Sequence, residues 1–299
     1  MLTAKDITIR DPYVLVHEGK YYMYGTRSHL TWKKPDDISI QGFDVYVSHD
    51  LIHWSEPVEV FKRPEGFWSD RNFWAPEVHE YGGSFYLFAT FWDGSRSRGT
   101  QILKADHPLG PFAIHSPEPI TPKNWECLDG TLYVSQDGTP YMVFCHEWVQ
   151  IKDGTICAVQ LSPDLKHPVG EPFELLKASA PAWADGDGGK GRYVTDGPCF
   201  YRTKTGQLLM FWSSLKNGEY VEAISISSNG EIDGEWSTYD ELLYDADGGH
   251  GMAFTGLDGK LYFTLHAPNI NYNEHPVFME LTDLGDKVIP KEETIKQIA

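Results

Sequence analysis

Carboxylates, histidines and tryptophans recur at one position of a repeated pattern, and that combination suits acid–base work on a polar, uncharged ligand. Asp11 stands in Arg10-Asp11-Pro12, Asp129 in Leu128-Asp129-Gly130, Asp196 in Asp196-Gly197-Pro198, Glu77 behind Trp74-Ala75-Pro76, and His250 in Gly249-His250-Gly251. Any single one has a plain structural explanation. An Asp before Pro or Gly bonds nearby backbone N–H groups in a turn, and an isolated His is usually structural. Five equivalent openings, four of them acidic, argue for more: carboxylates gathered at one pole repel one another unless they serve a ligand or a reaction.

Each opening leads into an apolar run that turns and returns. Pro12–Val16 turns through Glu18-Gly19-Lys20 into Tyr21–Thr26, and Val78–Tyr81 turns at Gly82-Gly83 into Phe85–Thr90. Thr131–Val134, Cys199–Tyr201 and Met252–Phe254 turn through Asp137-Gly138, Thr205-Gly206 and Asp258-Gly259 in the same way. A more polar strand pair follows each hairpin, with Gly42–Ser48, Asp50–Trp54 and Val58–Phe61 as strand segments after the first. Five copies at intervals of roughly 50–65 residues predict an all-β, five-bladed β-propeller with four antiparallel strands per blade. The blades fall near 9–62, 73–116, 127–178, 192–245 and 249–292 of one domain spanning 1–299. In that architecture Asp11, Glu77, Asp129, Asp196 and His250 converge on one funnel mouth. The ends of the second strands reach the same face: Thr26–His29, Trp92, His146-Glu147-Trp148, Ser213-Ser214 and His266–Asn269. Carboxylates ringed by Trp74, Trp92 and Trp148, with Glu77, His146 and His250, are the composition of a carbohydrate site. Strand alternation would point Arg10 away from Asp11.

The totals narrow the partners. A net charge of −18 repels phosphate backbones and anionic lipid, so nucleic acid and membrane surfaces are excluded as expected partners. An oligosaccharide feels no such penalty. Cys127, Cys145, Cys157 and Cys199 match no metal-ligand spacing and read as buried free thiols. Ala184–Gly191 superficially suggests a calcium loop, but it lacks the spacing and terminal Glu of an EF-hand. With no basic-then-apolar leader at Met1–Asp6, the chain as given is expected to be cytoplasmic.

The run of Arg10-Asp11-Pro12, Trp74-Ala75-Pro76-Glu77, Asp129-Gly130, Asp196-Gly197-Pro198 and Gly249-His250-Gly251 resembles glycoside hydrolase family 43 over essentially the whole chain. The resemblance implies an inverting mechanism on arabinose- or xylose-containing oligosaccharides. It makes Asp11 the general base and Asp129 the residue that orients the acid and tunes its pKa. It places His250 beneath the sugar, facing through water a metal ion, often calcium, in the central channel; no other cofactor is implied. The family's general acid is a Glu where this chain has Asp196, one methylene shorter. Either Asp196 acts with adjusted geometry, or Glu147 supplies the proton, or catalysis is lost; Asp196 is the expected donor. Loops 31–41 and 64–73 are expected to wall one side of the funnel and favour exo action. The alternatives are a non-catalytic sugar-binding propeller and a retaining or phosphorolytic relative.

Overall fold

The computed structural model describes residues 1–27 and 40–291. Its strands form five four-stranded antiparallel sheets, each made of consecutive strands in sequence order. The first blade contains β1 (Arg10–His17), β2 (Lys20–Thr26), β3 (Gly42–Ser48) and β4 (Val58–Lys62). The second contains β5 (Arg71–Tyr81), β6 (Ser84–Trp92), β7 (Gly99–Ala105) and β8 (Ala113–Ile114). The third contains β9 (Cys127–Val134), β10 (Pro140–His146), β11 (Thr155–Leu161) and β12 (Pro168–Lys177). The fourth contains β13 (Asp196–Arg202), β14 (Leu208–Lys216), β15 (Glu219–Ser227) and β16 (Trp236–Thr238). The fifth contains β17 (Gly249–Thr255), β18 (Leu261–Ala267), β19 (His275–Asp283) and β20 (Val288–Pro290). Around the axis β1 packs on β5 and β17, β9 on β5 and β13, and β13 on β17, closing a ring of innermost strands. This is the five-bladed propeller that the repeats predict.

The aromatic composition has its reason in the blade interfaces. Five apolar clusters lie among the described residues, one between each pair of neighbouring blades. The second strand of a blade feeds both of its interfaces by alternation. Tyr22 and Tyr24 pack toward the second blade while Tyr21 and Met23 pack toward the fifth. Likewise Leu208, Met210 and Trp212 face the third blade and Leu209 and Phe211 the fifth. A strand buried on both faces must be apolar at every position, which is why these runs look continuous rather than alternating. The four cysteines are buried and unbonded.

The amino-terminal segment helps close the ring. Leu2 pairs with Trp54 of the first blade, while the Ile9 N–H donates to the Glu274 carbonyl and Ile7 O bonds His275 Nδ1. One predicted strand is absent: 50–54 forms a turn in which Asp50 Oδ1 accepts the N–H groups of Ile52 and His53. The loop expected to wall the funnel at 64–73 instead sends Phe67 and Phe73 into the interface of the first two blades. Ser28, His29 and most of the loop at 31–41 lie outside the described residues. No described helix is long and apolar enough to cross a membrane.

Candidate active site

A β-bulge opens every innermost strand, and it decides which side chains meet. Pairing with the second strand slips after Arg10, Trp74, Leu128, Asp196 and Gly249. The next residue in each blade has a left-handed backbone: Asp11 (φ 54°), Ala75 (46°), Asp129 (55°), Gly197 (50°) and His250 (52°). An inserted residue cancels strict alternation, so neighbours can face the same side. Arg10 and Asp11 therefore both line one pocket, as do Leu128 and Asp129.

Three sequence expectations are corrected by this frame. Arg10 does not point away; its Nη1 donates to Asn269 Oδ1 (2.8 Å) and Glu274 Oε1 (2.9 Å) at the pocket wall. The second blade's equivalent of Asp11 is Ala75, and Glu77 lies farther along β5, outside the pocket lining, with Oε2 3.1 Å from His79 Nε2. The fourth blade's equivalent is Gly197, so Asp196 matches Arg10 rather than Asp11. Glycine is required at 197 because a Cβ would stand 2.6 Å from His250 Cδ2.

The pocket, a cavity of about 270 Å3, gathers Asp11, Asp129, Asp196, Glu147, Trp74, Trp148 and His250. Two expected residues lie elsewhere. Trp92 is not in the lining: its Nε1 donates to the Arg96 carbonyl (2.7 Å), and Arg71 covers its ring at 5.9 Å. His146 stacks on Trp125 (4.3 Å between centroids, 9° between planes) and lines a separate cavity.

His250 ties the acids together. Its Nδ1 is 3.2 Å from Asp11 Oδ1 and 3.7 Å from Asp129 Oδ2. Burial alone would lower its pKa, but Asp11, then Asp129 and Asp196, push it up to about 9. Asp11 is opposite in sign. Burial would raise it, yet His250 and Arg10 hold the carboxyl below its usual range, helped by the Thr26 hydroxyl donating to Oδ2 at 2.6 Å. The Asp11 N–H donates to His266 Nδ1 (3.2 Å), which fixes His266 with its proton on Nε2; burial and Arg10 keep it neutral. Asp11 is thus an ionised carboxylate with one oxygen on Thr26 and the other beside an imidazolium.

The remaining acids are pushed the other way. Burial raises Asp129 well above the carboxylate range against His250, and Asp196 and Asp11 add to the rise. Its Oδ2 accepts the Gly197 N–H at 3.1 Å, which aims it at the fourth blade. Burial also raises Asp196, opposed by His250 and by Tyr220, whose hydroxyl donates to Oδ2 at 3.0 Å. Glu147 is raised to about 7, by burial first, against the pull of its partner Arg98 and with repulsion from Asp196. Arg98 also bonds Glu126 Oε2 at 3.0 Å.

Glu222 of β15 had no signal in the repeat. It is fully buried behind His250, where its Oε2 accepts from Ser213 Oγ (2.6 Å) and Gly251 N (3.2 Å). Ser213 Oγ in turn accepts the His250 N–H at 2.6 Å. Burial raises Glu222 to about 8. Below these raised values the folded state holds protons on Glu222 and His250 that the unfolded chain has released, so stability falls as pH rises between the unfolded and folded pKa. Thermal unfolding midpoints should therefore decline from about pH 5 to pH 9, and Glu222→Gln should flatten the decline below pH 8. An unchanged slope in that variant would show that Glu222 does not carry the effect.

Among the described residues no group of three or more His, Cys, Asp or Glu could hold a metal ion directly. The observation that bears on an ion in the channel is His250 Nε2, buried without a hydrogen-bond partner. On an imidazolium that atom donates, so it fits a water, and no chemical step is assigned to a metal.

A propeller whose funnel mouth holds one carboxyl of lowered pKa beside several of raised pKa, with Trp beside them, belongs to the class built for acid–base chemistry on sugars. The particular family is shown by comparison: the chain matches Glycosyl hydrolases family 43 across residues 6–282 and belongs to it. It is 28% identical over 150 residues to xylosidase/arabinosidase 43A of Humicola insolens, covering 48% of this chain and 45% of that protein. It is 25% identical over 185 residues to extracellular endo-alpha-(1->5)-L-arabinanase 1 of Bacillus subtilis, covering 58% and 52%. These matches span about half the length of those curated relatives. A solved endo-arabinase from Bacteroides thetaiotaomicron superimposes with a TM-score of 0.84 at 37% identity, covering 94% of this chain and 96% of that one.

Proposed function

We propose that the protein is an inverting glycosidase that releases a terminal arabinose or xylose from oligosaccharides. The observation that carries this is the Asp11–His250–Asp129 arrangement, with His250 Nδ1 3.2 Å from Asp11 and 3.7 Å from Asp129, which lowers the pKa of one carboxyl while burial raises its neighbours. Inversion needs that asymmetry: an ionised base for the water and a protonated acid for the leaving oxygen, about 6.5–9.5 Å apart. In the proposed step Asp11 takes a proton from a water whose oxygen bonds the anomeric carbon. The glycosidic C–O bond breaks toward the leaving oxygen, which takes a proton from Asp196. Tyr220 occupies Asp196 Oδ2, leaving Oδ1 to deliver that proton. Burial first, then the charge of Asp11, disfavours ionisation of Asp196, while Asp129 holds the adjoining Gly197 N–H. Arg10, clamped by Glu274 and Asn269, presents the rest of its guanidinium to the sugar hydroxyls.

Arabinose and xylose are proposed from the names of the relatives. Exo action is proposed because a cavity of about 270 Å3 is at the small end of ligand pockets and suits one sugar ring. Nitrophenyl pentosides and hexosides, with proton NMR of the first-formed anomer, test the reaction. A first product of retained configuration, or a requirement for phosphate, would overturn it. Arabinan and xylan viscosity should fall slowly relative to reducing sugar released; a rapid early fall would mean endo cleavage.

A further inference from the structure

We infer that the cavity holding His146 is a second sugar-binding subsite, occupied by the leaving-group end of an oligosaccharide whose terminal sugar sits in the carboxylate pocket. The inference rests on the glycosidase reading above and extends it to residues that reading does not use.

The cavity measures about 410 Å3 and is lined by Trp125, His146, Ile151, Phe173, Glu174 and Lys177 among others. It opens on the same face as the carboxylates. His146 ends β10, Thr155 begins β11, and Lys177 ends β12 opposite Thr155, while Trp125 immediately precedes β9. All are therefore at the funnel-mouth end of the third blade.

A single wall separates the two cavities. The one-turn helix Trp148–Ile151 contributes Trp148 and Val149 to the first and Ile151 to the second. Val149 is 50% exposed and Ile151 36%, so an apolar surface runs across the divide. Adjacent residues Trp125 and Glu126 serve opposite sides: the indole lines the outer cavity, and the carboxylate holds Arg98, the partner of Glu147. Gln150 fastens the wall. Its Oε1 is 2.7 Å from His146 Nε2 and accepts the Glu126 N–H at 2.9 Å, and its Nε2 donates to the Asn124 carbonyl at 2.8 Å.

The lining chemistry matches a sugar. Trp125 is braced by the parallel His146 ring, whereas the Phe173 ring packs edge-on against Tyr141 (6.3 Å between centroids, 90° between planes) on the fourth-blade side of the sheet. Rigid aromatic surfaces stack on the C–H faces of sugars at little entropic cost. Glu174 and Lys177 are half-exposed and stand 3.9 Å apart, loose enough for hydroxyls to bridge them. Asp153 is not counted, because Ser179 N and Oγ already occupy its carboxylate. A polyanion is disfavoured by the net charge of −18. Continuity with the carboxylate pocket selects a longer piece of the same uncharged oligosaccharide.

The test compares Trp125→Ala and Trp125→Leu with the unmodified protein on arabinohexaose or xylohexaose and on the matching nitrophenyl pentoside. The aryl glycoside is too short to reach the second cavity. The ratio of kcat/KM on hexaose to that on aryl pentoside should fall roughly three- to tenfold in each variant, the range of one aromatic contact. Trp125→Phe, which keeps a ring, should largely restore it. A ratio unchanged in both variants, or a parallel fall on both substrates, overturns the inference. If Trp125→Ala fails to fold, Trp125→Leu, which keeps apolar bulk without a ring, decides. Should the unmodified protein cleave neither substrate, the glycosidase reading fails, and calorimetry of the intact hexaose tests the cavity alone. Weaker binding by the variants then supports it, and equal binding overturns it.

Discussion

Asp11→Asn is expected to lower kcat on pentosides by roughly 10²–10⁴-fold, the contribution of a general base, while KM changes little. The reason is local. The asparagine keeps the size of the side chain, and its carbonyl can still accept the Thr26 hydroxyl that now bonds Asp11 Oδ2 at 2.6 Å. What it loses is the negative charge that takes the water's proton. Asp11 is also the leading source of the rise in the pKa of His250 to about 9, so the variant should hold that imidazolium less firmly. The two effects separate by pH. Loss of the base lowers kcat at every pH, whereas a weakened His250 shows as a stability slope displaced to lower pH. Steady-state kinetics beside thermal unfolding from about pH 5 to pH 9 measures both. A fall in kcat of less than about tenfold would remove Asp11 from the base role.

The fold was legible because one hairpin design is written five times, with turn residues at matching offsets. The interfaces were legible too, since strands buried on both faces leave unbroken apolar runs at Tyr21–Tyr24 and Leu208–Trp212. The site was legible only to within a residue or two, and the bulges are why. Counting carboxylates aligned Asp11 with Glu77 and Asp196, whereas the backbone aligns it with Ala75 and Gly197. The sequence does hold the better signal: Pro12, Pro76 and Pro198 follow the bulged residue in three blades, with Gly130 and Gly251 in the other two. Aligning on them would have placed Arg10 beside Asp196 in the frame and Glu77 outside it. Glu222 could not be found this way. It sits on a third strand, paired with Ser213 inside the fourth blade, and reaches the fifth only through Ser213 to the His250 N–H and directly to the Gly251 N–H, contacts that exist once those two blades pack together. His146 was placed on the right face but not in the right cavity, because the helix Trp148–Ile151 that divides the face is only four residues long.

Proton donation is where two candidates compete, and the second large effect is expected there. Asp196 adjoins the bulge of the fourth blade, is pushed up by burial, and keeps one oxygen free of Tyr220. Glu147 has the longer arm and a pKa of about 7, but its carboxylate is engaged by Arg98 at the outer wall. In the proposed reading the acid is Asp196. Asp196→Ala should then cut turnover of arabino- or xylo-oligosaccharides by roughly 10²–10⁴-fold while sparing dinitrophenyl pentosides, whose leaving group needs little protonation. Glu147→Gln should slow both substrates modestly, because it removes the charge opposite Arg98 at the pocket edge. The pH profile supplies an independent reading. An acid must be protonated, so kcat/KM falls as pH rises through its pKa. If Glu147 is the donor, that fall centres near pH 7 in the unmodified protein and disappears in Glu147→Gln. If Asp196 is the donor, the fall persists in Glu147→Gln and disappears in Asp196→Ala. Equal slowing of both substrates by Asp196→Ala, with activated pentosides spared only by Glu147→Gln, would transfer the role to Glu147. Two variants that both ignore the leaving group would place the acid on neither residue and overturn the reading of the fourth blade.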